Sequence, residues 1–228
     1  MQPDPKRVRT IALAALLLLA AIATAIVGLF DHEERQSIAQ LAGKDVPAAA
    51  GRLARKYPLR PENCPDAWQL DEYHLLAGAL AAVERLNTSI IEHAVEAAVV
   101  RAAVLAGLPV PDFSIGPGQI RPSTAAAAVR KIGSAEPEAT QLATGRPQIA
   151  LELLSECASL DWGVAVLKML SPPRLAAAGE FSREAVMDLA GKYNSQFTAA
   201  SNEAVVANYL YRELTYQVFQ EYKFLLRP

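Results

Sequence analysis

The stretch Ser114-Ile115-Gly116-Pro117-Gly118-Gln119-Ile120 decides how this chain is read, because it sets a short polar loop between two long apolar segments. Two glycines and a proline in so few residues forbid a continuing helix, so the backbone bends here. Gln119 brings both a donor and an acceptor, and Ile120 beside it is an anchor for a core. Glycine has no side chain to hold the backbone away, so such a loop can bring main-chain groups close to a ligand. The same pattern also fits a plain interhelical turn. The flanking residues decide between the two.

Upstream, Asp71 is a good N-cap, and Leu76, Leu80 and Val83 recur at helical spacing. They predict a helix to about Leu86 with one buried face. Glu84 lies over Leu80, Leu76 and Tyr73 on that stripe. A carboxylate at the inner end of a buried face is costly unless satisfied or protonated. Such burial is what gives a carboxyl group the proton affinity that a general acid needs near neutrality. The alternative is a last-turn glutamate turned to solvent. Asn87-Thr88-Ser89 breaks the helix, Ser89 opens a capping box with Glu92, and a second helix runs to about Ala106 before Gly107.

Downstream, Pro122 suits the first turn of a third helix through about Lys131. Gly133 to Arg146 reads as connector, and Pro147 to Leu170 as one long apolar helix stopped by Ser171-Pro172-Pro173. Ser182 opens a shorter helix ending near Tyr193, and Asn202 to about Leu226 forms the last. No alternating strand pattern of useful length and no fixed-period repeat occurs, which predicts an all-α domain. Glu92 and Glu96 pair at i, i+4 on a face read as solvated. Glu152 and Glu156 repeat that spacing on the long helix and are read the same way. Tyr193-Asn194 ends a helix with two polar groups suited to hydrogen-bonding a sugar, or forms an ordinary terminus.

The chain has 228 residues, 52% of them hydrophobic, and a net charge of −2. With no dense basic run beyond the first ten residues, it lacks the electrostatic footprint of a nucleic-acid binder. Residues 10–30 hold no charged side chain, and at helical rise they span about 30 Å, the thickness of a bilayer core. Lys6, Arg7 and Arg9 precede the run, and Asp31, Glu33 and Glu34 follow it. The positive-inside rule therefore keeps residues 1–9 cytoplasmic and sends the rest across. Ala23-Thr24-Ala25 also resembles a signal-peptide cleavage site, but the apolar run continues through Phe30, favouring a retained anchor. Both readings export the domain. Residues 31–66 read as stalk and linker, with three prolines between Tyr57 and Pro65, and residues 67–228 as the folded domain. Cys64 and Cys157 form either one disulfide or two buried thiols. His32, His74 and His93 stand apart without metal-ligand spacing, so no metal or cofactor is expected.

Taken in order, these features resemble the lysozyme-like lytic transglycosylase group, which includes goose-type lysozyme and the soluble lytic transglycosylases. In that group a helix ends in a catalytic glutamate, a Ser-x-Gly-x-x-Gln-Ile loop follows, and a Tyr-Asn pair comes late. Here Ala82-Val83-Glu84 ends a helix, Ser114 to Ile120 supplies the loop, and Gly191-Lys192-Tyr193-Asn194 carries the pair. The resemblance covers roughly residues 70 to 225. It implies a lysozyme-like helical domain, which the single N-terminal transmembrane helix read at residues 10–30 would hold on the extracytoplasmic side of a bacterial inner membrane. It further implies a peptidoglycan lytic transglycosylase without cofactor. Glu84 would be its acid and then its base, and Ser114, Gly116, Gln119, Tyr193 and Asn194 would bind the glycan. Arg85 stands where the group usually has serine, Pro117-Gly118 where it has Leu-Met, and the segment between Glu84 and Ser114 is longer than in compact members. These departures leave a second reading open, an exported non-catalytic module that binds glycan or a partner protein.

Overall fold

The computed structural model describes residues 45–64, 70–88, 90–132, 145–176, 179–194 and 202–226. The apolar run 10–30, the flanking residues 1–9 and 31–44, the Ser89 cap and most of the 133–146 connector lie outside them. Among the described residues the regular elements are all helical, as expected. In chain order they are α1 (Val46–Lys56), a 3-10 turn (Pro61–Asn63), α2 (Glu72–Asn87), α3 (Ile90–Leu105), α4 (Pro122–Ile132), α5 (Arg146–Leu153), α6 (Glu156–Leu170), α7 (Pro173–Ala176), α8 (Arg183–Tyr193) and α9 (Asn202–Leu225). Among those residues no helix is long and apolar enough to cross a membrane.

The caps fall where side-chain chemistry puts them. Asp71 accepts from the His74 main-chain N–H at 2.9 Å and starts α2, and Ser182 accepts from Ala185 at 3.2 Å and starts α8. Each satisfies an N–H that the first helical turn leaves without a partner. The α2 stripe is buried as the spacing predicts: Leu76, Leu80 and Val83 are all 0% exposed. Full burial of each stabilises the fold by about 1.5–3 kcal/mol.

Two hydrophobic clusters share α6. The larger joins α1, α2, α8 and α9 through Leu53, Leu80, Leu189, Tyr211 and Phe219. The smaller gathers Val100, Ile115, Ile120, Leu153 and Trp162 around the loop. Helix α6 sends Leu160, Val164 and Leu167 to the first, and Trp162, Ala165 and Val166 to the second. It is apolar nearly all round because it is packed nearly all round.

The stalk and the long helix with its glutamate pair are corrected, and the two alternatives for the cysteines are resolved. Val46–Lys56 is not stalk: Asp45 caps it, Ala49, Ala50, Leu53 and Ala54 are buried, and it packs along α9. The folded unit therefore includes Val46–Lys56, ahead of the expected start at residue 67. The long helix from Pro147 to Leu170 is two helices, broken at Leu154-Ser155. The break separates Glu152 from Glu156, so they form no common solvated stripe. Glu152 accepts from the Trp162 indole N–H at 3.1 Å, whereas Glu156 pairs with Arg85 at 2.9 Å. Cys64 and Cys157 are joined as a disulfide, 93 residues apart in sequence. It ties the connector before α2 to the first turn of α6.

Candidate functional site

The central loop is a closed turn. Ile115 and Ile120 exchange main-chain hydrogen bonds of 3.0 and 3.1 Å, and Gln119 N–H donates to Gly116 O at 3.0 Å. Both isoleucines are buried in the smaller cluster, so hydrophobic burial holds the ends of the turn; Gly116 and Gly118 are buried with them, and Pro117 and Gln119 keep partial exposure. Gly116 has φ +69° and Gln119 φ +49°. A Cβ at Gly116 would lie 1.8 Å from the main-chain oxygen of Leu153, so no residue but glycine fits there. The break between α5 and α6 falls at this close approach.

The tip is held from three sides. From α3, Glu96 accepts from the Gly116 N–H at 3.3 Å and from Gln119 Nε2 at 3.3 and 3.4 Å. From α6, the buried Ser159 hydroxyl accepts from Gly118 N–H at 3.1 Å. From α8, the Tyr193 hydroxyl donates to Gly118 O at 2.7 Å. The solvated face expected for Glu96 is thus corrected, since only 15% of its side chain is exposed. Its network continues to His93, whose Nδ1 lies 3.4 Å from Glu96 and whose Nε2 stands 3.0 Å from the Thr88 hydroxyl. Thr88 Oγ1 in turn donates to the main-chain oxygen of Glu84 at 3.2 Å. The loop and the end of α2 are linked by an unbroken chain of polar contacts.

Glu84 and this loop face one cleft of about 730 Å³. Ser114, Gln119, Ile120, Tyr193 and Asn194 line it too, and Val166, Met169 and Leu170 of α6 add apolar surface. Five of the six residues expected at the site therefore meet in one cleft. The exception is Gly116, which lies behind it and lines a separate cavity instead. Among the described residues Glu84 is the one carboxylate lining the cleft, with Arg121 and Lys192 as the cations. Gln119 has its Nε2 committed to Gly116 O and Glu96, so the amide oxygen is what it can offer a ligand. Arg85 turns away from the cleft, over the Tyr57 ring at 5.0 Å and toward Glu156.

Sequence reasoning missed Tyr211. Its hydroxyl donates to Glu84 Oε1 at 2.7 Å, and the Asn194 side chain is a hydrogen-bonding neighbour of the same hydroxyl. Burial first, and then the charge of Glu84, push the Tyr211 phenol well above its ordinary range, and the same two causes act in the same order on Tyr193. Both stay protonated donors. Tyr211 is 0% exposed, on the apolar face that carries Leu214 and Val218. A tyrosine among such positions needs a partner for its hydroxyl, and that was the available signal.

The chain matches no family model, no curated protein and no solved structure.

Proposed function

We propose that this chain is a membrane-anchored peptidoglycan lytic transglycosylase, with residues 10–30 as the anchor and a lysozyme-like domain on the extracytoplasmic side. The observation that carries the reading is a single carboxylate, Glu84, fixed by Tyr211 in a cleft shared with the Ser114–Ile120 turn and the Tyr193-Asn194 pair. The order of these three features along the chain is that of the lysozyme-like group. The disulfide suits an exported protein, because such bonds persist in oxidising compartments.

One carboxylate suffices for an intramolecular reaction. Protonated Glu84 donates its proton to the glycosidic oxygen between N-acetylmuramic acid and N-acetylglucosamine, and the C1–O bond breaks. The resulting carboxylate takes the proton of the muramyl 6-hydroxyl as O6 bonds to C1, giving a 1,6-anhydro end. The proton returns to Glu84 and no water is consumed. Glycosidases that use two carboxylates need the second as nucleophile or to activate water, and here the substrate's own hydroxyl does that work. Tyr211 fixes one carboxyl oxygen and thereby the direction of proton transfer. Ser114 and the Gln119 oxygen are available to the sugar, while the Asn194 side chain neighbours the Tyr211 hydroxyl at the wall of the cleft.

Digestion of purified peptidoglycan by the full-length chain tests this. Anhydro-muropeptides should appear, and Glu84→Gln should lower their release by about 10²–10⁴-fold, the usual contribution of a positioned acid–base group. Undiminished release by the Gln variant would remove Glu84 from the role. A second reading, a glycan-binding module without activity, is favoured by the commitment of the Tyr193 hydroxyl and Gln119 Nε2 to the loop itself. It predicts co-sedimentation with peptidoglycan and no anhydro product.

A further inference from the structure

Behind the loop lies a second cavity of about 290 Å³, lined by Tyr57, Arg85, Thr88, His93, Arg101 and Pro117 among others. Thr88 lines this cavity and the Glu84 cleft alike, so the two adjoin at the end of α2. Their linings are lopsided in charge. Arg85 and Arg101 line the cavity and Arg121 and Lys192 the cleft, against Glu84 alone among lining carboxylates of the described residues. The whole chain, by contrast, has a net charge of −2. Lys192 and Arg85 are paired with Asp188 and Glu156, so Arg101 and Arg121 carry the excess positive charge, which raises the local concentration of anions.

The cations of the cavity are also incompletely used. Arg101 has no acidic partner among the described residues. Arg85 gives Nη2 to Glu156, whose side chain is 63% exposed, and lies over the Tyr57 ring. A guanidinium has five N–H donors in a planar fork suited to a carboxylate. His93 is not available in the same way, because its two nitrogens face Glu96 and Thr88.

We propose that this second cavity binds a carboxylate of the peptide borne by a glycan strand in the cleft, with Arg101 and Arg85 as its partners. The inference rests on the peptidoglycan reading above and deepens it. The muramyl residue carries a peptide with free carboxylates, and a strand seated against Glu84 delivers such a group past Thr88. The substrate class is then a peptide-bearing strand, not a bare glycan.

The test compares strands with intact peptides and the same strands treated with an amidase, which removes the peptide and its carboxylates and leaves the short lactyl carboxylate on the sugar, using the full-length chain and its Arg101→Ala and Arg101→Lys variants. Arg101 is exposed on α3, so its replacement leaves the core intact. The ratio of kcat/KM for intact over stripped strands should exceed one in the parent and fall about fivefold in Arg101→Ala, as for the loss of one charged contact near a surface. Arg101→Lys should recover part of it. An unchanged ratio in Arg101→Ala overturns the proposal. Co-sedimentation with the two kinds of strand is read in parallel. If the parent cleaves neither strand, the enzymatic reading fails, while the carboxylate site is still decided by whether Arg101→Ala loses its preference for intact strands in binding.

Discussion

Replacing Gly116 with alanine is expected to be among the most damaging small changes available in the loop, and three glycines together show why. At Gly107, φ is +64° and nothing lies within 4 Å of a built Cβ. Alanine there meets only the left-handed backbone penalty, about 1–2 kcal/mol. At Gly118 a Cβ would meet side-chain atoms of Ile120, Ser159 and Tyr193 at 3.2 Å, and small rotations relieve that. Gly116 combines φ +69° with a main-chain oxygen at 1.8 Å. Backbone cannot rotate aside, so the turn must retreat by about an ångström or more to reach ordinary contact. Overpacking of that kind costs about 1–3 kcal/mol beyond the backbone penalty, or about 2–5 kcal/mol in all. Denaturant unfolding of the three variants reads the difference directly. Under the proposed activity, a loop displaced this far also lowers anhydro-sugar release by about 10²-fold. Equal midpoints for Gly116→Ala and Gly107→Ala would refute the packing of Gly116 against Leu153, and with it the account of how the cleft wall is held.

Glu96→Ala should lower stability by about 1–3 kcal/mol, because it strands the buried Gly116 N–H. Glu96→Gln keeps an acceptor oxygen and should lose less, which thermal unfolding of the pair will show. Opening the Cys64–Cys157 bridge, with its 93-residue separation, should cost about 4–5 kcal/mol by chain entropy, read as the change in denaturation midpoint with reductant. Tyr193 and Tyr211 keep their protons in the folded state well above the ordinary 10.0, whereas the unfolded chain releases them near that value. Their stabilisation is therefore complete below about pH 10 and declines as pH rises further. Tyr211→Phe should lose about 1–2 kcal/mol at neutral pH with its bond to Glu84, yet show a shallower decline in unfolding free energy above about pH 10.

The parts of the fold legible in sequence are those written locally. Asp71 and Ser182 announce their helices because a cap needs only its own turn, and the Leu76–Leu80–Val83 stripe announces its buried face by spacing alone. Ser114 to Ile120 was legible as a turn because glycine and proline act on the backbone directly. What was not legible depends on distant partners. Nothing local to Val46–Lys56 says that α9 will cover it, and nothing around Leu154 says that Gly116 will press on the preceding carbonyl. Glu96 carries the same spacing as a solvated pair, and only the fold brings the loop to it. Tyr211 holds Glu84 across 127 residues of sequence, which no periodicity within α9 reveals.

The burial of α1 along α9 also sets a length. If the domain began at residue 67, a chain leaving the bilayer at Phe30 could carry it more than 100 Å away when fully extended. With Asp45 capping a helix that is already part of the core, at most residues 31–44 remain between the proposed anchor and the domain. Such a segment reaches about 50 Å at most. Under the proposed function, a cleft on that tether works a shell next to the membrane, and glycan farther out is beyond its range.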